Sequence, residues 1–235
     1  MRIQRIQFSN EGWVYCKATF YCASDILQPK AYSFKNGIHI LKGEIDSGNW
    51  AVSYYLSMYS HSPKDFVLDG KIDILVDNKK IDIKTFCDYS CYLDKKIYPF
   101  FSQNIPINAL IEKYSKKNTG KSAEEIRELF QITDARFYRP VNQMGIEAVL
   151  GMAAVGYSMG KQVFCFPWMS AERFRSNSIC LSRCFDALEN LGMIVIVPVG
   201  QKSVKVSVKN FWKRNIRERV KTGYLDMKMK RNQNR

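Results

Sequence analysis

The segment from Gly43 to Trp50 has the residue types and the spacing of a loop that binds phosphate groups. An apolar strand, Ile38-His-Ile-Leu-Lys-Gly43, precedes this loop, and an apolar helix from Asn49 to Met58 follows it. A glycine-rich turn that opens a helix directs backbone N–H groups and the positive end of the helix dipole toward one point. The turn Gly43-Glu-Ile-Asp-Ser-Gly48 therefore stands where a nucleotide-binding loop would lie.

The chemistry of this loop is incomplete. The full motif, G-x-x-x-x-G-K-[ST], supplies a lysine to the β- and γ-phosphates and a hydroxyl group to Mg²⁺. Asn49 and Trp50 stand at those two places. Two roles are open for Trp50: its ring fills the space where phosphates would lie, or it packs on the sheet. The candidate nucleotide-binding residues of this vestigial phosphate loop are Gly43, Asp46, Ser47, Gly48, Asn49 and Trp50.

Three later segments carry a resemblance to a known family. Gln143-Met-Gly-Ile-Glu147 immediately precedes an apolar helix, Val163-Phe-Cys-Phe-Pro167 is an apolar strand that ends in proline, and Ile194-Val-Ile-Val197 is a second apolar strand. Together with the loop at Gly43, these segments resemble, in order and spacing, the nucleotide-binding domain of the ABC ATPases over residues 1–208. The resemblance implies an α/β fold: an ABC-ATPase-like P-loop fold with a mixed β-sheet, an N-terminal antiparallel β portion and a helical subdomain at about 105–145.

The resemblance also assigns places to the remaining motifs. The signature-like segment is Gln143, Met144, Gly145, Ile146 and Glu147, in which Gly145 matches and Met144 replaces the serine that contacts phosphate. Cys165 and Phe166 stand at the places of the Mg²⁺-binding aspartate and the catalytic glutamate, and Pro167 matches. The switch-histidine place falls near Val199, and either Asp94 or Gln103 stands for the glutamine loop.

These replacements favour a chain that does not hydrolyse ATP. Catalysis of phosphoryl transfer needs a lysine, a metal ion and a positioned water to stabilise the charge at the γ-phosphate. Asn49, Trp50, Cys165, Phe166 and Val199 supply none of these groups. The sequence therefore predicts a catalytically degenerate, non-hydrolysing interaction or regulatory subunit with no catalytic residue, no metal and no cofactor, while weak binding of Mg·ATP stays open.

Two other functions are open as well. One is an ABC-type subunit that binds or hydrolyses ATP only with a complete partner, and the other is a basic nucleic-acid-binding module on a degenerate P-loop scaffold. The resemblance implies a homodimer, or a heterodimer with an ABC-type subunit. In such a dimer the loop Gly43–Trp50 faces the partner's signature-like segment.

Charge is distributed unevenly along the chain. The 235 residues are 46% hydrophobic, which excludes intrinsic disorder of the whole chain, and they carry a net charge of +14. From Lys209 to Arg235 there are ten basic and two acidic residues, so this stretch holds eight of the fourteen surplus positive charges. We predict a basic C-terminal tail, 209–235, that is either solvated or bound to nucleic acid or another anionic surface.

Cysteine usage and hydropathy predict a cytoplasmic protein. The seven cysteines include no C-x-x-C pair, which favours reduced thiols over a zinc site. Two pairs, Cys87/Cys91 and Cys180/Cys184, are spaced so that each would share one helix face. The first eight residues are too charged for a signal peptide, and the longest apolar run, 148–160, is shorter than the roughly 20 residues of a transmembrane helix.

Apolar periodicity predicts the elements that position these residues. Strands are expected at 3–8, 13–21, 38–41, 162–166 and 193–198, a hairpin at 71–84 with its turn at 77–80, and helices at 107–114, 122–130, 145–157 and 178–191. Ser122 and Glu125 have the spacing of a capping box, and Gly192 is expected to end the last helix. Because the later strands are continuously apolar and alternate with helices, they predict a parallel sheet covered on both faces.

Overall fold

The computed structural model of the chain describes residues 2–18, 23–94 and 104–200, which belong to one unit, Met1–Gln201. The predicted tail 209–235, Gln103 and Cys22 lie outside the described residues.

Strands and helices follow each other through this part of the chain. The strands are β1 (Arg5–Asn10), β2 (Val14–Ala18), β3 (Ala23–Leu27), β4 (Lys30–Lys35), β5 (Gly37–Lys42), β6 (Phe66–Leu68), β7 (Ile72–Val76), β8 (Lys79–Ile81), β9 (Ser90–Tyr92), β10 (Val163–Cys165) and β11 (Ile194–Val199). The helices are α1 (Asn49–Met58), α2 (Ile83–Cys87), α3 (Ile107–Asn118), α4 (Ala123–Leu129), α5 (Asp134–Phe137), α6 (Ala148–Ser158), α7 (Ala171–Ser176) and α8 (Ser178–Asn190).

A parallel sheet in the order β5-β11-β10-β9 carries the candidate loop at the carboxyl end of β5. Every residue of β10 and β11 is buried, because helices lie on both faces of the sheet. The Cys165 thiol faces Ser53 and Ser57 of α1, whereas the Phe164 ring faces Gly156 of α6. The prediction of a covered parallel sheet is confirmed.

Two antiparallel sheets are built from the N-terminal strands. One has the order β4-β1-β7-β8, in which β1 pairs with both β4 and β7, and the other has the order β3-β2-β6. Their strands alternate buried and exposed residues along much of their length, as in β1, because one face of each sheet packs on the interior. The predicted fold class, α/β with an antiparallel N-terminal portion, is confirmed.

Local signals at helix ends are also confirmed. Ser122 accepts a hydrogen bond from the Glu125 N–H and the Glu125 carboxylate accepts one from the Ser122 N–H, which completes the capping box of α4. At the end of α8, Gly192 has φ of 67° and its N–H donates to the Glu189 carbonyl, while the Met193 N–H donates to the Leu188 carbonyl. This pair of bonds is a Schellman motif.

Four details of the predicted elements are wrong. The hairpin turn contains only Asp77 and Asn78, both at positive φ, so Lys79 and Lys80 belong to β8. Ile83 begins helix α2 instead of extending β8, because the Asp82 carboxylate accepts the N–H bonds of Lys84 and Thr85 and caps the helix.

Cys87 ends α2 and Cys91 lies in β9, so this pair does not share a helix face, whereas Cys180 and Cys184 both lie buried on α8 as predicted. The helix expected from Gly145 begins at Ala148, because Gly145 has φ of 61° and starts a 3₁₀ turn that ends at Glu147.

Within the described ranges, the helices are all too short or too polar to cross a membrane.

We expect Asp77→Ala to lower the free energy of unfolding by about 1–3 kcal/mol. The Asp77 carboxylate accepts the backbone N–H bonds of Gln4 at 3.0 Å and Arg5 at 2.8 Å, and the residue has φ of 48°, which alanine tolerates poorly. Asn78→Gly is the control, since glycine suits the φ of 66° there and should leave stability unchanged or higher. Urea unfolding measures both variants, and equal midpoints would contradict the expectation.

Candidate functional site

The loop between β5 and α1 lies at the carboxyl edge of the parallel sheet. The Gly43 N–H donates to the Val199 carbonyl at the end of β11, which places the start of the loop beside the predicted switch position. The Trp168 indole N–H donates to the Gly43 carbonyl at 3.1 Å and ties the segment after Pro167 to the same point. The structure therefore brings together the phosphate-loop place, the switch place and the end of the apolar strand 163–167.

Both glycines of the loop are required by close approaches. A Cβ atom on Gly43 would lie 2.4 Å from the Ser47 Oγ. Gly48 has φ of 78°, and a Cβ atom there would lie 2.8 Å from the Cα of Leu27 on β3. The loop is therefore closed on one side by its own residues and on the other side by a strand of the antiparallel sheet.

Two N–H groups at the start of α1, one on its cap residue and one in its first turn, are bonded to a carboxylate from outside the loop. Asp25, on β3, accepts from the Gly48 N–H through Oδ1 at 2.9 Å and from the Ala51 N–H through Oδ2 at 3.0 Å. Its Oδ1 also accepts from the neighbouring Ile26 N–H at 3.0 Å. Asp25 is only 1% exposed, so this carboxylate occupies the end of the helix within the protein.

Two opposing effects act on the Asp25 carboxyl group. Burial raises its pKa from the usual value, and the hydrogen bonds from the Gly48, Ala51 and Ile26 N–H groups act in the opposite direction. Burial is the larger effect, and the nearby Asp46 raises the pKa further.

The role of Asp25 was not predicted from the sequence, although its position on the strand indicates a buried carboxylate. Side chains two residues apart on a strand share a face, and Leu27 on β3 is fully buried. Asp25 therefore falls on the buried face of a strand, where a carboxylate needs hydrogen-bond donors. The identity of those donors depends on a contact across 23 residues of sequence, which no local pattern reports.

The residues at the lysine and hydroxyl places are used inside the protein. The Asn49 side-chain amide donates to the Lys42 carbonyl at 3.0 Å, so it folds back onto the end of β5. Trp50 is 4% exposed, and its indole N–H donates to the Tyr92 hydroxyl at 2.9 Å. The indole also stacks on Tyr54 with ring centroids 5.1 Å apart. Of the two roles open for Trp50, the packing role is the one that the contacts describe.

The places of the Mg²⁺-binding aspartate and the catalytic glutamate hold apolar, buried side chains. Cys165 and Phe166 are buried, and burial raises the pKa of the Cys165 thiol far above its usual value. The Phe166 ring packs edge-on against Phe185, and its carbonyl accepts a hydrogen bond from the Ser53 hydroxyl at 2.6 Å. Val199, at the switch place, is also buried. These side chains offer no oxygen ligand for Mg²⁺ and no base for a water molecule.

The signature-like segment is divided between the interior and the surface. Met144 is buried, and the Glu147 carboxylate is bonded to the N–H and hydroxyl of Thr133 and to the Arg183 guanidinium. Gln143, Gly145 and Ile146 are exposed, and Ile146 is 73% exposed. Gly145 and Ile146 line a cavity of about 410 Å³ together with Asp94, Phe166 and Pro167.

Comparison with known proteins identifies the fold. No protein-family model matches the chain, and no curated protein sequence matches it. Among solved structures, MJ1267, an ATP-binding cassette of an ABC transporter in its ADP conformation, is 12% identical with a TM-score of 0.54, over 86% of this chain and 82% of that one. A putative ABC transporter ATP-binding protein from Pyrococcus furiosus is 12% identical with a TM-score of 0.55, over 86% of this chain and 93% of that one.

The chain therefore has the fold of an ABC-type ATP-binding cassette. At this level of identity the likeness defines the fold alone, and the site has to be judged from its own residues. The residues at the family's phosphate and metal places do not fit Mg·ATP, because the N–H groups of Gly48 and Ala51 are bonded to Asp25 and the metal-ligand places hold Cys165 and Phe166. Within residues 2–18, 23–94 and 104–200, no three His, Cys, Asp or Glu side chains are grouped so that they could hold a metal ion.

We expect Trp50 and Tyr92 to be energetically coupled through the indole–hydroxyl hydrogen bond. Tyr92→Phe should lower the free energy of unfolding by about 1–3 kcal/mol, because it leaves a buried indole N–H without its acceptor. The same substitution in a Trp50→Phe background should cost less, with a coupling energy of about 0.5–1.5 kcal/mol. Urea unfolding of the four proteins measures the cycle, and Tyr15→Phe in another sheet is the control. If the two substitutions changed the free energy of unfolding additively, the expected coupling through this hydrogen bond would be wrong.

Proposed function

We propose that this chain is a catalytically degenerate ABC-ATPase-like protein that acts as a non-hydrolysing interaction or regulatory subunit. The observation that carries the proposal is the burial of Trp50 with its indole N–H bonded to Tyr92. The place at which the family binds Mg²⁺ through a hydroxyl group is thereby part of the hydrophobic core. We therefore assign no catalytic residue and no resident cofactor to the chain.

The energetics of phosphoryl transfer support this proposal. Little covalent chemistry is left to the protein in this reaction, so catalysis depends on positioning and on stabilising charge at the γ-phosphate. Removing a single stabilising group of this kind from an enzyme costs about 10²–10³ in kcat. Here the lysine, the metal-binding residues, the catalytic carboxylate and the switch histidine are all replaced. Losses on this scale leave no useful turnover.

We propose that the chain works in a dimer, either with a second copy or with an ABC-type subunit. The loop Gly43–Trp50 would face the partner's signature-like segment. Of that segment, only Gln143, Gly145 and Ile146 are exposed, and Ile146 presents an apolar side chain. The loop also presents an exposed apolar residue, Ile45. These two residues favour a direct protein–protein contact in place of one bridged by nucleotide.

Hydrolysis of Mg·ATP by the purified full-length chain tests the proposal. We expect no turnover above background, while a complete ABC ATPase assayed in parallel gives the positive signal. A turnover of about 1 s⁻¹ by the chain alone would refute it, since that is an ordinary enzymatic rate. Hydrolysis that appears only on mixing with a complete ABC subunit would replace the proposal by the partner-dependent alternative.

Substitutions at the loop sharpen this test. Asn49→Lys restores the lysine and keeps the buried Trp50, and Asn49→Lys with Trp50→Ser restores both missing groups of the loop. We expect at most weak Mg·ATP binding by either variant, measured as a thermal shift, because Cys165 and Phe166 still stand at the metal and base places. Recovery of hydrolysis by either variant would show that those places are not limiting.

A further inference from the structure

We infer that Asp25 is a built-in substitute for phosphate, which permanently fills the anion-binding end of α1. The inference rests on the proposed function in one respect, namely that the loop Gly43–Trp50 is the family's phosphate loop. It goes further, because it explains what took the place of the ligand. A loop that had only lost its lysine would still offer all its N–H groups to an oxyanion. In this loop the N–H groups of Gly48 and Ala51 are already bonded to Asp25.

The geometry of the carboxylate matches that of a bound oxyanion. The N–H groups of a phosphate loop and of the helix that follows it bind the oxygens of the α- and β-phosphates. Asp25 places one oxygen 2.9 Å from the Gly48 nitrogen and the other 3.0 Å from the Ala51 nitrogen. These N–H groups lie before and within the first turn of α1. One carboxylate thus bridges the loop and the helix, as a phosphate group would.

The strand that carries Asp25 prevents it from moving aside. Asp25 lies in the middle of β3 and pairs with Cys16 of β2 in an antiparallel register that continues on both sides. The backbone of the same strand touches the loop, because a Cβ atom on Gly48 would lie 2.8 Å from the Leu27 Cα and 3.0 Å from the Ile26 carbonyl oxygen. The backbone that carries the carboxylate is therefore held against the start of α1. The helix end opens only when the carboxylate itself is displaced or removed.

The surroundings of the loop also disfavour an added anion. Glu44 and Asp46 are exposed acidic residues of the loop itself, and Asp46 is close enough to affect Asp25. A phosphate group that approached the loop would meet these carboxylates and would find the Gly48 and Ala51 N–H groups already bonded to Asp25. The contact between Asp25 and the start of α1 is therefore a fixed part of the fold, and this helix end is not an unoccupied ligand site.

Rescue of an Asp25→Ala variant by free oxyanions tests the inference. The variant leaves the Gly48 and Ala51 N–H groups without an acceptor, so added sulfate or inorganic phosphate should occupy the vacated place. At ten times the dissociation constant of the anion, we expect the Tm to rise by about 4 °C more than for the unsubstituted chain at the same ionic strength. The full-length chain is used throughout.

Two variants control this experiment. Leu27→Ala removes a buried side chain of the same strand, so it reports how far sulfate stabilises any destabilised form of the protein. Asp46→Asn removes a negative charge from the exposed part of the loop and keeps a residue that tolerates its φ of 75°. Neither should gain more from sulfate than the unsubstituted chain. An equal gain in Asp25→Ala and Leu27→Ala would overturn the inference, as would specific stabilisation of the unsubstituted chain by phosphate.

Should Asp25→Ala fail to fold, Asp25→Asn gives a second readout. The Gly48 and Ala51 N–H groups are bonded to different oxygens of Asp25, and an amide of the same shape has an oxygen at only one of these two places, so one N–H group loses its acceptor. We expect hydrogen exchange of the Gly48 or the Ala51 amide to accelerate at least about tenfold in Asp25→Asn and to stay unchanged in Asp46→Asn. Unchanged exchange in both would overturn the inference. Hydrolysis of ATP by the unsubstituted chain bears on the proposed function instead, so the two failures are distinguishable.

Discussion

The N-terminal end of α1 imposes the constraint on which the rest of the site depends. All ten residues of this helix are buried, so its first N–H groups cannot be solvated and need partners within the protein or from a ligand. The residue at its N-cap is Gly48, which has no side chain to accept a hydrogen bond. In a nucleotide-binding loop the ligand satisfies this requirement. Here Asp25 satisfies it for the Gly48 and Ala51 N–H groups, and the antiparallel sheet that carries Asp25 is thereby joined to the parallel sheet that carries the loop.

Once the helix end is satisfied internally, the neighbouring residues are free to serve stability. Asn49 closes the loop onto Lys42, and Trp50 joins an aromatic cluster with Tyr54 and Tyr92 between α1 and β9. Side chains of this size bury a large apolar area and add specific ring contacts. A lysine or serine at these positions would have had to remain near a polar ligand. The chain therefore combines an ABC-type fold with a loop helix whose first residues are part of the core.

The sequence was sufficient to predict the fold where local pattern and tertiary context agree. The continuous apolar runs at β10 and β11 require a covered parallel sheet, and the Asp77–Asn78 turn requires a hairpin. Prediction failed where two patterns overlapped. The alternation of apolar and polar residues through Ile83 is typical of a strand, but Asp82 caps a helix that begins at Ile83. The spacing of Cys87 and Cys91 fits one helix face, but the helix ends at Cys87 and Cys91 lies in a strand.

The site also divides into features that follow from neighbouring residues and features that depend on tertiary contacts. The position of the loop between a strand and a helix could be predicted from the residues Gly43 to Trp50, because they are consecutive, and the sequence itself shows Asn49 and Trp50 in place of a lysine and a hydroxyl residue. The role of Asp25 could not, because it depends on how β3 approaches the helix after folding. Likewise, the burial of Met144 and the internal bonds of Glu147 arise from the packing of α6 against its neighbours, not from the five residues of the segment.

Gly48 has a wider consequence for how such motifs are interpreted. A glycine is needed at this position because the backbone of Leu27 on a neighbouring strand leaves no space for a Cβ atom. In a nucleotide-binding loop the close approach of a phosphate group excludes a side chain in the same way. Two unrelated requirements thus select the same residue at the same place. A glycine pattern can therefore fit a nucleotide-binding loop without a nucleotide being the reason for the glycine. The atom that faces the glycine, from a phosphate group or from a neighbouring strand, distinguishes the two cases.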